Sequence, residues 1–390
     1  MRQQHPADQP PPSSIQQKEG IIRVGCIFGT RPDAIKMAPV VLELKSRPAR
    51  FNVRVVVTGQ HREQLDQVLE TFRIEPDQNL NIMSHGQTLS EITTRVLNGL
   101  DEWLSANPVD VVLAQGDTTT TFVAALAAFY HHVPFGHVEA GLRTYHRYNP
   151  YPEEMNRRLV AGLAEYHFAP TDAARRHLLA ENIAADRIWV TGNTGIDALL
   201  WVASQSHFEL PAEIRDVVES QHMVVLLTAH RRESWGEPLR QICRAVVQLS
   251  AEYPDVHFIY AMHRNPIVRE IAETELFGLP NVRLVDPPDY PVFVKLMQRA
   301  TLILTDSGGV QEEAPSLNVP ILVLRETTER PEGIEAGCAR LIGTDTGRIL
   351  EEASRLLSSS RSRSEMIGIA NPYGDGKAAQ RIAEILIEQL

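Results

Sequence analysis

From Ile21 onward the chain repeats one pattern: a short, nearly all-apolar run rich in β-branched residues, then a longer stretch with helical spacing. The runs are IIRVGCIF, VRVVV, VDVVLA, PFGHV, RIWVTG, MVVLLT, VHFIYAM, VRLVD, TLILT and PILVL. Between the second and third, Leu65, Val68, Leu69 and Phe72 recur at the three-and-four spacing of an amphipathic helix. Apolar strands without alternation are buried on both faces, and strands that alternate with helices pair in parallel. The pattern therefore predicts an α/β protein. Ten strands are many for one doubly wound sheet, so two Rossmann-like halves are expected, facing each other across a central cleft. The break is expected after TGNTGIDALL, where the polar stretch WVASQSHFELPAEIRDVVESQH separates one strand series from the next. This assigns 21–195 to an N-terminal domain and 196–373 to a C-terminal one. The first residues, 1–20, are polar and proline-rich, lack the apolar core of a signal peptide, and read as a disordered tail.

Composition narrows the function classes. At 390 residues the chain is long for one domain. A formal net charge of −11 argues against non-specific nucleic-acid binding, which needs a basic face, but a local arginine cluster can still hold a small anion. Cys26, Cys243 and Cys338 lie far apart without metal-ligand spacing, which fits a reducing, cytoplasmic setting without structural disulfides. No run of about 18 apolar residues appears, so no membrane-spanning helix is expected. The fourteen histidines form no HExxH, and no metal is assigned.

Ligands of open α/β sheets bind beyond the carboxyl ends of the strands, so the chemistry is sought there. After the first strand, FGTRPDAIKMAPV sets Arg31 and Lys36 beside a helix N-terminus, either a phosphate site or a plain βα turn. Asp117 follows the strand VDVVLA and a glycine, and is either the cap of the next helix or a cleft acid. Glu139 ends another strand. Pro152 is suited to open a helix, with Glu153 and Glu154 in its first turn; Glu154 is expected to pair with Arg157 or Arg158. In the second half His230 directly follows a strand, as an acid, base or donor, or as a residue satisfied by loop backbone. The most specific stretch is TLILTDSGGVQEEAP: strand, glycine turn, then helix, offering the Ser307 hydroxyl and the N–H groups of Gly308 and Gly309 to a diphosphate. Glu313 follows within that helix, within reach of a ribose diol. The stretch is not the dinucleotide fingerprint and has no Walker lysine. Arg325 and Arg330, in RETTERPEG, pass alone for a solvated loop.

Taken together, GTRPDAIKMAPV, VTGQH, QGDTTTT, HVEAGLRT, NPYPEEMNR, HRRESWG, DSGGVQEEAP and TTERPEG resemble, in order, the non-hydrolysing UDP-N-acetylglucosamine 2-epimerases. The resemblance runs from about Ile21 to the C-terminus. It implies the GT-B arrangement of the two domains, usually as a homodimer, with a C-terminal helix, 374–390, crossing back onto the first domain. It also implies interconversion of UDP-GlcNAc and UDP-ManNAc without a cofactor, by elimination of UDP to a bound 2-acetamidoglucal and re-addition. Matched by motif, Asp117, Glu139, Glu153 and His230 would be catalytic. Arg31, Lys36, Phe293, Ser307, Gly308, Gly309, Glu313 and Arg330 would hold the UDP-sugar. Gln60 and His61 match part of a second, activating site of some members. Competing readings are a 2-epimerase of a UDP-diacetamido sugar, a hydrolysing variant, a GT-B glycosyltransferase and a non-catalytic UDP-sugar sensor.

Overall fold

The structure is a computed structural model that describes residues 20–59, 62–82 and 86–390, with backbone alone at 62–64. The first seven strands are β1 (Ile22–Phe28), β2 (Phe51–Val57), β3 (Gln78–Asn79), β4 (Val111–Gln115), β5 (Phe135–Val138), β6 (Tyr166–Ala169) and β7 (Ile188–Val190). Six more follow: β8 (Val224–Thr228), β9 (His257–Ala261), β10 (Val282–Val285), β11 (Leu302–Thr305), β12 (Ile321–Val323) and β13 (Ala339–Leu341). They form two sheets, ordered β3-β2-β1-β4-β5-β6-β7 and β10-β9-β8-β11-β12-β13. The strands pair in parallel, as in β1 with β2 and β4, and β8 with β9 and β11. In each sheet the order reverses beside its first strand, which creates a crevice between β1 and β4 and another between β8 and β11. The expected α/β fold of two Rossmann-like halves is observed.

Strands β4, β8, β11 and β12 are buried along their whole length, as their nearly unbroken apolar sequences require, whereas β2 and β10 expose Asn52, Arg54 and Arg283. Along β8, Val224 and Leu226 point into one apolar cluster, whereas Val225 and Leu227 point into another. The first of these clusters is continuous between the halves. It runs from Val24, Cys26 and Phe28 through Ala198, Leu199 and Val202 to Leu226 and Ile303. Its bridge is the helix Thr194–Ser204, whose last turn, Trp201–Ser204, begins the polar stretch between the strand series; a second helix, Ala212–Glu219, lies within that stretch. The last helix, Ala378–Gln389, lies against Arg31–Lys45 and Thr194–Ser204, and its first turn is held by Asp197, which accepts the N–H of Ala379 at 2.8 Å.

Three strands go beyond the ten read from the sequence. β3 is two polar residues, β13 is ARL, and β6 is YHFA, with no β-branched residue in any of them. Tertiary pairing against an existing sheet makes these strands, not propensity.

Candidate active site

The crevice of the first sheet is built from three strand ends. After β1, Gly29 has no room for a side chain: a Cβ there would meet the Thr58 and Thr120 hydroxyl oxygens at 2.2 and 2.6 Å. The tight turn leads into the helix Arg31–Lys45, which places Arg31 at its first position and Asp33 and Lys36 in its first turns. After β4 and the left-handed Gly116 comes Asp117. The capping alternative fails here, because Thr118 caps the next helix by accepting the N–H of Thr121 at 3.3 Å. Asp117 is thereby free to pair with Arg157 at 2.6 Å.

Glu139, directly after β5, has a left-handed backbone with φ +64°, a conformation that costs a non-glycine residue about 1–3 kcal/mol and that concentrates at functional sites. The turn aims its carboxylate back across the sheet, where it forms an ion pair with Lys36. Burial pushes the Glu139 carboxyl above its usual range against the pull of Lys36, and the charges of Glu312 and Asp117 push the same way as burial. For Lys36 burial works downward, but Glu139 and Glu312 outweigh it and hold the ammonium firmly protonated. The helix that opens at Glu153 separates its two acids. Glu154 pairs with Arg157 at 3.3 Å, as expected, and also accepts the N–H groups of Thr144 and Tyr145 at 2.9 and 3.1 Å, so it holds the loop as well. Glu153 is different: its buried Oε2 has no hydrogen-bond partner among the described residues.

The crevice of the second sheet offers donors. Asp306, fully buried after β11, accepts the N–H groups of His230 and Arg231 at 2.7 and 2.8 Å and so fixes the loop after β8. The His230 ring stacks on His263 with centroids 5.4 Å apart. Burial lowers its pKa against the opposing charge of Asp306, which favours the neutral ring. Ser307 precedes the short helix Gly308–Glu313 without capping it. A Cβ on Gly308 would lie 3.5 Å from Nη2 of Arg231, so the guanidinium overhangs the glycine turn. Glu313 accepts a hydrogen bond from the Tyr290 hydroxyl at 3.2 Å, and its carboxyl is pushed up to about 8, first by burial and then by Glu312. Phe293 stands three residues after Tyr290 in the helix Tyr290–Arg299, half-buried against the shared apolar cluster.

Between the crevices the halves meet in one cluster of charge. Glu312 forms an ion pair with Arg330, while Lys36 and Glu139 lie in the fields of both. Arg31 and Lys36, from the first half, act on Glu313 of the second. The structure thus gathers Arg31, Lys36, Glu139, Glu313 and Arg330, with Asp117 in the field of Glu139. Glu153 and His230 make no hydrogen bond or ion pair with these acids among the described residues. Gln60 and His61 lie outside the described residues. The sequence reading passed over Glu312, Asp33, Asn193 and Tyr290, all of which line or brace this region. For Glu312 a signal was available, since it is a second acid on the helix that carries Glu313. No group of three or more His, Cys, Asp or Glu among the described residues is placed to hold a metal ion. No helix among them is long and apolar enough to cross a membrane.

Two parallel α/β sheets with facing crevices, one lined by acids and one by a glycine turn at a short helix, define an enzyme of the GT-B-like class. Comparison with known proteins makes this specific. The family model described as UDP-N-acetylglucosamine 2-epimerase matches residues 42–387. The UDP-N-acetylglucosamine 2-epimerase of Escherichia coli K12 is 52% identical over 370 residues, covering 94% of this chain and 98% of the relative. That of Bacillus subtilis is 50% identical over 366 residues, covering 94% and 95%. Among solved structures, the Neisseria meningitidis UDP-GlcNAc 2-epimerase bound to UDP-GlcNAc superposes with a TM-score of 0.83 at 46% identity, covering 94% of this chain and all of that one. The chain belongs to the UDP-N-acetylglucosamine 2-epimerase family, and it is an isomerase.

Proposed function

We propose that the protein interconverts UDP-GlcNAc and UDP-ManNAc by inverting sugar carbon 2, through elimination of UDP and its re-addition, without net hydrolysis. A base removes the carbon 2 proton, and that electron pair forms the double bond between carbons 1 and 2. The bond from carbon 1 to the diphosphate oxygen breaks, and UDP departs with its electrons. Re-addition reverses these steps with a proton delivered to the opposite face of carbon 2. Such chemistry needs a positioned base and acid around one carbon, and cations where the leaving charge develops.

The observation that carries this reading is the Lys36–Glu139 pair, a buried carboxylate set by a left-handed turn against a protonated lysine, with Asp117 in the same field. Asp117, Glu139 and Glu153 are the proton-handling acids, and a neutral His230 supplies an N–H donor. Arg31, Lys36, Arg330 and the turn Ser307–Gly309 take the diphosphate, Glu313 the ribose diol and Phe293 the uracil. Cations from one half and donors from the other make a two-sided clamp that excludes water from the glucal. The exposed side chains of Phe129, Tyr130 and Leu159, on the adjoining helices Thr119–Tyr130 and Glu153–Leu163, support a homodimer.

Incubation with UDP-GlcNAc alone, followed by anion-exchange chromatography, tests the reading. Expected is UDP-ManNAc at a constant final ratio to UDP-GlcNAc, with no free amino sugar. Stoichiometric release of ManNAc and UDP would replace epimerisation by hydrolysis.

A further inference from the structure

Glu312 is 8% exposed and spends both carboxylate oxygens on partners from different halves of the molecule. Oε1 takes Nε of Arg330, and Oε2 accepts a hydrogen bond from Nδ2 of Asn193 at 2.9 Å. Its backbone carbonyl accepts Nδ2 of Asn371 at 2.8 Å, which fixes the helix that carries it. Asn193 is itself rigid. Its Oδ1 accepts the N–H of Gly195 at 2.8 Å, capping the helix Thr194–Ser204, and its own N–H donates to the Tyr373 carbonyl at 2.9 Å. Because Oδ1 is committed as an acceptor, Nδ2 must face Glu312 as the donor. On the other side, the Arg330 guanidinium is held at two of its three nitrogens. Nε goes to Glu312 and Nη1 to the Glu329 carbonyl at 3.2 Å, while Nη2 has no hydrogen-bond partner among the described residues.

We propose that Glu312 is a positioning residue that, braced by Asn193 at the junction of the two halves, sets the aim of Arg330. With Asn193 docked, the carboxylate is held at both oxygens, so the guanidinium plane is fixed and Nη2 is presented to an incoming diphosphate. Without the Asn193 amide, Oε2 is unheld, the carboxylate is fixed by Arg330 alone, and the pair can rotate. The brace thereby orders Arg330 before a diphosphate arrives and lowers the ordering cost of binding it. The inference rests on the reading above that Arg330 holds the diphosphate.

The test is titration calorimetry of UDP and UMP against the wild-type protein, Glu312→Gln and Asn193→Ala, with melting temperatures recorded alongside. The account expects Glu312→Gln to weaken UDP about tenfold while UMP changes less than twofold, since UMP has no second phosphoryl group to meet Arg330. Asn193→Ala leaves the Glu312–Arg330 pair intact and should weaken UDP about threefold; in the double variant the two effects should not add, as expected for groups acting as one unit. Parallel weakening of UDP and UMP would make Glu312 a purely structural brace and overturn the proposal, as would unchanged UDP affinity in both single variants. If Glu312→Gln fails to fold, Asn193→Ala still decides: an unchanged ratio of UDP to UMP affinity in that variant overturns the coupling. Absence of UDP binding by the wild-type protein would overturn the functional reading itself, a result distinct from these.

Discussion

The two sheets share one strand order around their crevices, yet they use buried acids in opposite ways. In the second half Asp306 gives Oδ2 to the main-chain N–H groups of His230 and Arg231, which makes it a loop anchor, and its Oδ1, without a hydrogen-bond partner among the described residues, stands 3.5 Å from Nδ1 of the His230 ring. In the first half Glu139 meets a side-chain cation, Lys36, and the buried Oε2 of Glu153 meets no donor among the described residues. An acid committed to backbone is structural, because its partners cannot leave without unfolding the loop. An acid balanced by a movable side chain can exchange that partner for substrate. The topology sets where ligands bind in both halves, and the strand-end residues decide what happens there.

Exchanging the two acids for amides should separate these roles most widely. Glu139→Gln is expected to lower kcat by about 10²–10⁴-fold, the usual worth of a proton-transferring group, with UDP affinity nearly retained. Asp306→Asn is expected to cost about 1–3 kcal/mol of folding stability through weakened bonds to buried N–H groups, with a modest loss of rate. Steady-state kinetics and urea denaturation of both variants check the contrast, and it breaks if Asp306→Asn abolishes turnover at unchanged stability.

The clamp predicts a smaller effect on binding alone. Arg31→Ala should weaken UDP by about tenfold, corresponding to about 1.4 kcal/mol, because it removes one first-half cation of the proposed clamp. Unchanged affinity by calorimetry would remove the first half from nucleotide binding.

A pH-dependent change in stability, not in binding or rate, sharpens the comparison within the acidic crevice. Asp33, 3% exposed, accepts the Thr118 hydroxyl at 3.2 Å, and its carboxyl is pushed up to about 7, by burial first and by the facing charge of Asp117 as well. In the unfolded chain it ionises near 4, so folding takes up a proton between these values. Its contribution is therefore most favourable below the unfolded value and is lost as pH rises through the folded one, by at most about 4 kcal/mol. Asp33→Asn should raise the melting temperature at pH 8 and leave it nearly unchanged at pH 4. Equal shifts at both pH values would show that Asp33 does not titrate in this range.

The same contrast explains what could be read before the structure. β1, β4 and β8 are apolar on both faces, and that burial writes itself into a continuous apolar run. β6 could not be read that way, because YHFA carries His167 and no β-branched residue, and its strand state comes from pairing with β5 and β7. Asp117 and Glu139 were visible as acids at strand ends, but whether Asp117 or Thr118 caps the helix is a matter of one residue and of Arg157, forty positions away. Glu312 was visible as a second acid beside Glu313, but its role was hidden for a related reason. Adjacent helical residues point about 100° apart, so of Glu312 and Glu313 each faces different neighbours. The partner that gives Glu312 its role, Asn193, lies 119 residues distant, and no local spacing encodes it.

The central claim is base-mediated inversion of carbon 2 with UDP returned to the same sugar. Proton NMR of the protein with UDP-GlcNAc in heavy water, without added cofactor, tests it most directly. The account predicts UDP-ManNAc carrying deuterium at carbon 2, with the label entering the UDP-GlcNAc pool as the reaction reverses. UDP-ManNAc that retains its original proton at carbon 2, or free ManNAc in place of the nucleotide sugar, would contradict it.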